Sequence, residues 1–198
     1  MNRFRLLFVV AFAALALIGT QAALATSVQK LSLKELTKNS DSIVMGRVDS
    51  AVSSWDAAHK EIYTYYTLSV LQPVKGSRAG ATITLRQLGG AVGNIASVVP
   101  GMPSFKKGEE VVLFLTQKDA AGYPWVMGLQ QGKYSVVDQG GVKMVRNDLA
   151  GTELLAPNGA HVDSKVAPDM QLNAFIDGIK TDLNVDGKIK VDPNPPTE

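Results

Sequence analysis

The clearest periodic signal runs from Glu61 to Val70, EIYTYYTLSV. Ile62, Thr64, Tyr66, Leu68 and Val70 fall on one face, and Glu61, Tyr63, Tyr65, Thr67 and Ser69 on the other. This predicts a long half-buried strand reaching about Gln72, where Pro73 interrupts pairing and Lys75-Gly76-Ser77 reads as a turn. Ala81 to Leu88 alternates in the same way, with Ile83 and Leu85 opposing Thr82, Thr84 and Arg86. Upstream, Ser42 to Val48 (SIVMGRV) reads as a strand. Ile43 and Met45 share one face, Val44 and Val48 the other, and Gly46 marks a bend or bulge. Downstream, EVVLFLTQ is apolar on both faces, as a central strand would be. Trp125 to Leu129 gives a further short strand, and GKYSVVDQG with GGVKMVRND gives a strand, turn and strand. Half-buried alternation of this kind favours antiparallel pairing.

Two helices flank these strands. Ser32-Leu33-Lys34-Glu35 matches a capping box, opening a short helix that ends near Asn39 with Leu33 and Leu36 inward. Leu172, Phe175, Ile176 and Ile179 form an apolar stripe at helical spacing. Asp49 to Lys60 and Asp148 to Ser164 read as connections. The fold this pattern predicts is mainly β: a small, partly open antiparallel barrel of oligonucleotide-binding-like shape with N- and C-terminal helices. A β-sandwich is the second reading, because periodicity does not report how strands close.

Gly89 to Glu109, with five glycines and two prolines, is long for a loop in a compact domain. Either it covers the core through Ile95, Val98, Val99, Met102 and Phe105, or it is a binding loop presenting Asn94 and backbone groups. Trp55 admits the same pair of readings, a cap on the core or a binding anchor; its large apolar surface favours the cap. Trp55, Asn94, Met102 and Phe105 are therefore the candidate binding residues. The glycines lack the lysine of a phosphate loop.

The first residues change the picture of charge. Arg3 and Arg5 precede an apolar run from Leu6 to Ile18, and Ala23-Leu24-Ala25 supplies a small-residue cleavage pattern. Residues 1–25 are expected to be a secretory signal peptide, followed by one domain over 26–180 and a polar tail over 181–198. The run is too short for a bilayer span, so no membrane association is expected after cleavage, and the destination is periplasmic or secreted. Removing the leader takes away two positive charges and no acid, which leaves 18 basic and 18 acidic groups where the whole chain carries +2. That balance offers no nucleic-acid surface. The chain has no cysteine, which excludes disulfides, thiol catalysis and thiolate metal sites.

Catalytic patterns are scarce. There is no G-x-S-x-G elbow and no H-E-x-x-H helix, and the only histidines are His59 and His161, the latter near Asp163. Glu109 and Glu110 are adjacent, so in a strand they point to opposite faces. Asp182, Asn184 and Asp186, followed by Gly187, match the first half of a calcium loop, with Lys188 at the carbonyl-donating position and Ile189 at the apolar one. Position twelve is Pro193 rather than a bidentate glutamate. Calcium binding and a frayed polar tail both stay open.

The runs LSLKELTKNSDSIVMGRV, VLQPVKG and FKKGEEVVLFL resemble uncharacterised exported bacterial proteins. Over about residues 31–137 they are also similar to the barrel of the netrin-like and tissue-inhibitor-of-metalloproteinase superfamily. That resemblance implies a barrel and suggests an exported protease as partner. The animal inhibitors use a metal-chelating cysteine, which this chain lacks, so no inhibitory residue carries over. The function expected from all of this is a non-catalytic exported binding or regulatory protein acting on an extracytoplasmic protein or polymer. The alternatives are a calcium-binding structural or surface-associated protein and a carboxylate-dependent hydrolase.

Overall fold

The computed structural model describes residues 27–149, 152–156, 158–162 and 168–185. The leader, Asp163, Asp186 and Lys188 lie outside them. In chain order the elements are β1 (Ser27–Gln29), α1 (Leu33–Asn39), β2 (Ser42–Trp55), β3 (Ile62–Lys75), β4 (Thr82–Leu88), β5 (Gly90–Val92), β6 (Ile95–Ser97) and β7 (Glu110–Leu115). A 3-10 turn (Leu129–Gly132) follows, then β8 (Lys133–Gln139), β9 (Val142–Arg146), β10 (Glu153–Leu155), β11 (His161–Val162), β12 (Met170–Gln171) and α2 (Leu172–Val185).

Seven strands form one antiparallel sheet in the order β12-β9-β8-β7-β2-β3-β4. β12 and β4 are its two edges, and no strand pairing joins them. The sheet is open, which overturns the barrel of oligonucleotide-binding-like shape. The other described strands form only a three-stranded and a two-stranded sheet, and helices pack on one face of the main sheet. The expected strands are present, but the pairing that would close them is not. Closure is a contact between distant edges, on which alternation within a strand is silent.

The sheet buries both faces. On the outer face, Ile43, Met45, Val112, Phe114 and Val145 pack against Leu36 of α1 and Leu172, Phe175, Ile176, Ile179 and Leu183 of α2. α1 carries the capping box: Ser32 N–H donates to Glu35 Oε2 at 2.8 Å and Glu35 N–H to Ser32 Oγ at 3.2 Å. Lys75 closes the other end, its ammonium donating to the carbonyls of Thr37, Lys38 and Ser40. On the inner face, Val44, Val48, Tyr66, Leu68, Val70, Leu85, Val111, Leu113 and Leu115 form a second cluster, roofed by Phe105 and Val126 from loops.

β2 and β3 make one ribbon of 14 residues each. Alternation sends Ile43 and Met45 to the outer face and Val44 and Val48 to the inner, and register shifts at Ile43/Val44, Met45/Gly46 and Val48/Ser50 bend the strand. Pro73 stays within β3, opposite Val44 and beside the first shift, where a missing N–H is tolerated. The stretch 49–55, expected to be a connection, belongs to β2. Its small and polar residues carry little periodic signal, and pairing with β3 orders it. Trp125 to Leu129 forms a single bridge, Val126 to Leu115, rather than a strand. Part of the segment read as irregular holds β10 and β11, which join β1 in a small separate sheet.

A tight junction fixes the start of the glycine-rich segment. Gly89 N–H donates to Ile62 O at 2.7 Å, and Thr64 Oγ1 donates to Gly89 O at 2.7 Å. Ser53 Oγ lies 2.8 Å from Thr64 Oγ1. At Gly90, with φ +132°, a Cβ would stand against Thr64 Oγ1 and 2.5 Å from Ser53 Oγ. Gly90→Ala is therefore expected to cost about 2–4 kcal/mol, combining an overpacked contact with a backbone region that L-residues avoid. Urea unfolding of the variant checks this, and a cost below about 0.5 kcal/mol contradicts the packing described.

Candidate functional site

The junction at Gly89 and Gly90 launches the hairpin β5–β6, which pairs Gly90 to Ser97 and Val92 to Ile95. The chain then returns across the inner face as a roof. Phe105 is buried edge-on against Tyr66, with ring centroids 4.8 Å apart. Lys133, itself buried, forms a 2.7 Å ion pair with Glu109, donates to Ser104 O and lies 4.6 Å from the Phe105 ring centroid. Glu109 also accepts from Lys106 N–H at 2.9 Å and Ser135 Oγ at 2.8 Å. Burial alone pushes its carboxyl up. The hydrogen bonds from Lys133 and Lys106, the Lys133 charge and Ser135 outweigh that and hold it below the ordinary carboxylate range.

Between roof and hairpin lies a groove of about 420 Å³, lined by Tyr66, Gln87, Gly89, Val99, Met102 and Pro103 among others, and by no charged residue. Its volume falls in the range of ligand sites. Gln87 belongs to β4 and pairs in register with Thr64, which pairs with Ser53, so the three form one polar rung on the inner face. Ser53 and Thr64 satisfy each other and Gly89, whereas Gln87 does not share in this. It is 2% exposed, and neither Oε1 nor Nε2 has a hydrogen-bond partner. A buried amide left unpaired costs about 1–3 kcal/mol per orphaned group, a cost that an entering ligand can remove.

The candidate residues separate on this frame. Met102 is half-buried and lines the groove, while Phe105 lies in the core beneath it. Asn94 stands exposed at the tip of the β5–β6 hairpin. Trp55 ends β2, half-buried, with its ring stacked 6.4 Å from that of His59. Covering and presenting are thus divided within one loop: Phe105 roofs the core, and Ile95 and Val98 project outward, Val98 86% exposed. Gln87 was not singled out by sequence. Its signal was present, a polar residue at the inward position following Ile83 and Leu85.

Asp182 and Asn184 sit in the last turn of α2, which continues to Val185. Asp186 and Lys188, the rest of that candidate calcium set, lie outside the described residues. Among the described residues no group of three or more histidine, aspartate or glutamate side chains is placed to hold a metal. Glu109 and Glu110 face their own lysines, Lys133 and Lys143, rather than each other. No described helix is long and apolar enough to cross a membrane.

A second cluster sits at the open seam beside β4, where a cavity of about 470 Å³ separates Thr82, Ile83 and Thr84 from Thr116, Lys118 and Tyr123. Arg86 pairs with Asp119 at 2.8 Å and lies 4.9 and 5.4 Å from the Tyr63 and Tyr123 ring centroids. The Asp119 carboxylate accepts from Tyr123 N–H, Trp125 Nε1 and Ala121 N–H. These, with Tyr123 first and then Trp125, Ala121 and the Arg86 charge, hold it down at about 2. The Asp119 carboxylate is satisfied within the cluster, whereas Arg86 Nε is buried without a hydrogen-bond partner; the pair fastens the 116–125 arm across the seam in place of strand pairing.

No protein-family model and no curated protein sequence matches the chain. With the sheet open, the netrin-like and inhibitor resemblance, and the exported β-barrel family with it, is withdrawn. The suggested protease partner rested on that resemblance and goes with it.

The depressed Asp119 has a pH consequence. Its folded value lies below the unfolded one, near 4, so its stabilisation is complete above about pH 4 and fades as pH falls toward about 2. The melting-temperature gap between the native protein and Asp119→Asn should therefore be constant above about pH 5 and shrink between about 4 and 2. A gap that does not change with pH contradicts the assignment.

Proposed function

We propose that this protein is a non-catalytic, extracytoplasmic binding module whose site is the groove beneath the β5–β6 hairpin. The observation that carries this reading is Gln87, its amide buried and unpaired, in the wall of a cavity with no charged lining residue. Polar groups of this kind are rare in folded proteins unless water or a ligand completes them. The extracytoplasmic setting rests on the leader pattern of residues 1–25. Glu109, Glu110 and Asp119 each face a cation of their own, Lys133, Lys143 and Arg86, which favours binding over carboxylate chemistry. Partner selection would then come from the shape of the groove, with Val99 and Met102 as apolar walls and Gln87 as the polar contact.

Blocking the groove tests this. Tagged native protein, Met102→Arg and the remote control Val142→Arg, each shown by melting to be folded, are used to capture partners from periplasmic and culture-medium fractions of the native host. Native protein and Val142→Arg should retain the same partner, and Met102→Arg should lose it by about tenfold or more. Equal retention by all three places the site elsewhere.

A further inference from the structure

We infer that the groove takes an uncharged, extended peptide segment, and that Gln87 reads its main chain; this rests on the groove being the binding site. Gln87 offers one acceptor, Oε1, and the two donors of Nε2, all without partners. A single residue of an extended strand presents its N–H and C=O on the same side, the arrangement that pairs across an antiparallel ladder. A side-chain amide copies one half of such a pair. It accepts from the peptide N–H through Oε1 and donates to the peptide C=O through Nε2, so both orphaned atoms are satisfied by one residue of ligand.

The surroundings fit the same occupant. Gln87 is nearly the last residue of β4, an edge strand whose outer side has no strand partner. Val99, Met102 and Ala96 supply apolar walls for one side chain of the segment. The absence of any charged lining residue excludes reward for a charged side chain, since a buried unpaired charge opposes binding. Gln87 is 2% exposed, so the peptide meets its amide only as the groove wall opens around it, and the amide then selects by main-chain chemistry.

The test uses the full chain and two probes, the capped peptide acetyl-Gly-Leu-Gly-amide and its analogue with an ester in place of the Leu N–H. Binding is followed by NMR on the Gln87 side-chain amide and on the backbone amides of Gly89, Val99 and Met102. The peptide should move all of these saturably, with a dissociation constant on the order of 0.1–1 mM for so small a ligand. The ester should bind about tenfold more weakly, because it leaves Oε1 unpaired. In Gln87→Leu, an apolar replacement that removes the orphaned groups, the peptide and ester should bind equally, and the melting temperature should not fall. A Gln87 amide resonance that does not respond to the peptide overturns the inference. So does equal binding of peptide and ester by native protein, which is the result expected if buried water already satisfies the amide. Loss of partner capture in Met102→Arg together with either negative result retains the groove and rejects only the peptide main chain as its ligand. Capture unaffected by Met102→Arg rejects the groove itself.

Discussion

A salt bridge withdrawn from water holds the inner face of this protein together. Lys133 and Glu109 meet at 2.7 Å with 9% and 18% of their side chains exposed. Desolvating two charges opposes folding unless attraction and further hydrogen bonds compensate. Here the carboxylate has Ser135 and the Lys106 amide, and the ammonium has Ser104 O and the face of Phe105. The pair ties β8 to the end of the roof, so Pro103 and Phe105 stay pressed on Tyr66 and its neighbours. In an open sheet no second set of strands covers Val44, Leu68, Leu85 and Leu113. The roof does that work, and the pair fixes the roof.

The groove follows from the same constraint. A roof made of loop rather than strand leaves space where it meets the hairpin, and the rung Ser53, Thr64 and Gln87 crosses the sheet there. Ser53 and Thr64 are spent on anchoring Gly89 and Gly90. Gln87 is left with its amide unpaired beside an uncharged cavity. On the outer face α1 and α2 cover the sheet with apolar surfaces, and a smaller cavity of about 230 Å³ remains beside α1, lined by Leu36, Gln131, Tyr134 and Asn147 among others. The two faces are thus covered by different means, helices on one and a pinned loop on the other.

Alternation made β3, β4, β7, β8 and β9 legible, and the capping box and apolar stripe did the same for α1 and α2. These are local signals. The extension of β2 through Trp55 was hidden because Ser50, Ala51, Ser53 and Ser54 owe their order to a partner strand. The openness of the sheet was hidden because edges are defined by strands that are not there. For the site, Met102 was legible as an apolar residue in a glycine-rich loop, and Phe105 was legible as roof. Gln87 matters only once Thr64 and Ser53 are known to be its rung partners and to be satisfied without it. That is a tertiary fact, announced in sequence only by a polar residue at an inward position.

The clamp is tested most directly by a double-mutant cycle on Glu109→Gln and Lys133→Met, measured by urea unfolding. Each single change strands a buried charge and should cost about 3 kcal/mol, whereas the double variant should cost little more than one single change, a coupling on the order of 2 kcal/mol. Costs that simply add, with no coupling, would show that the roof is held by something other than this pair.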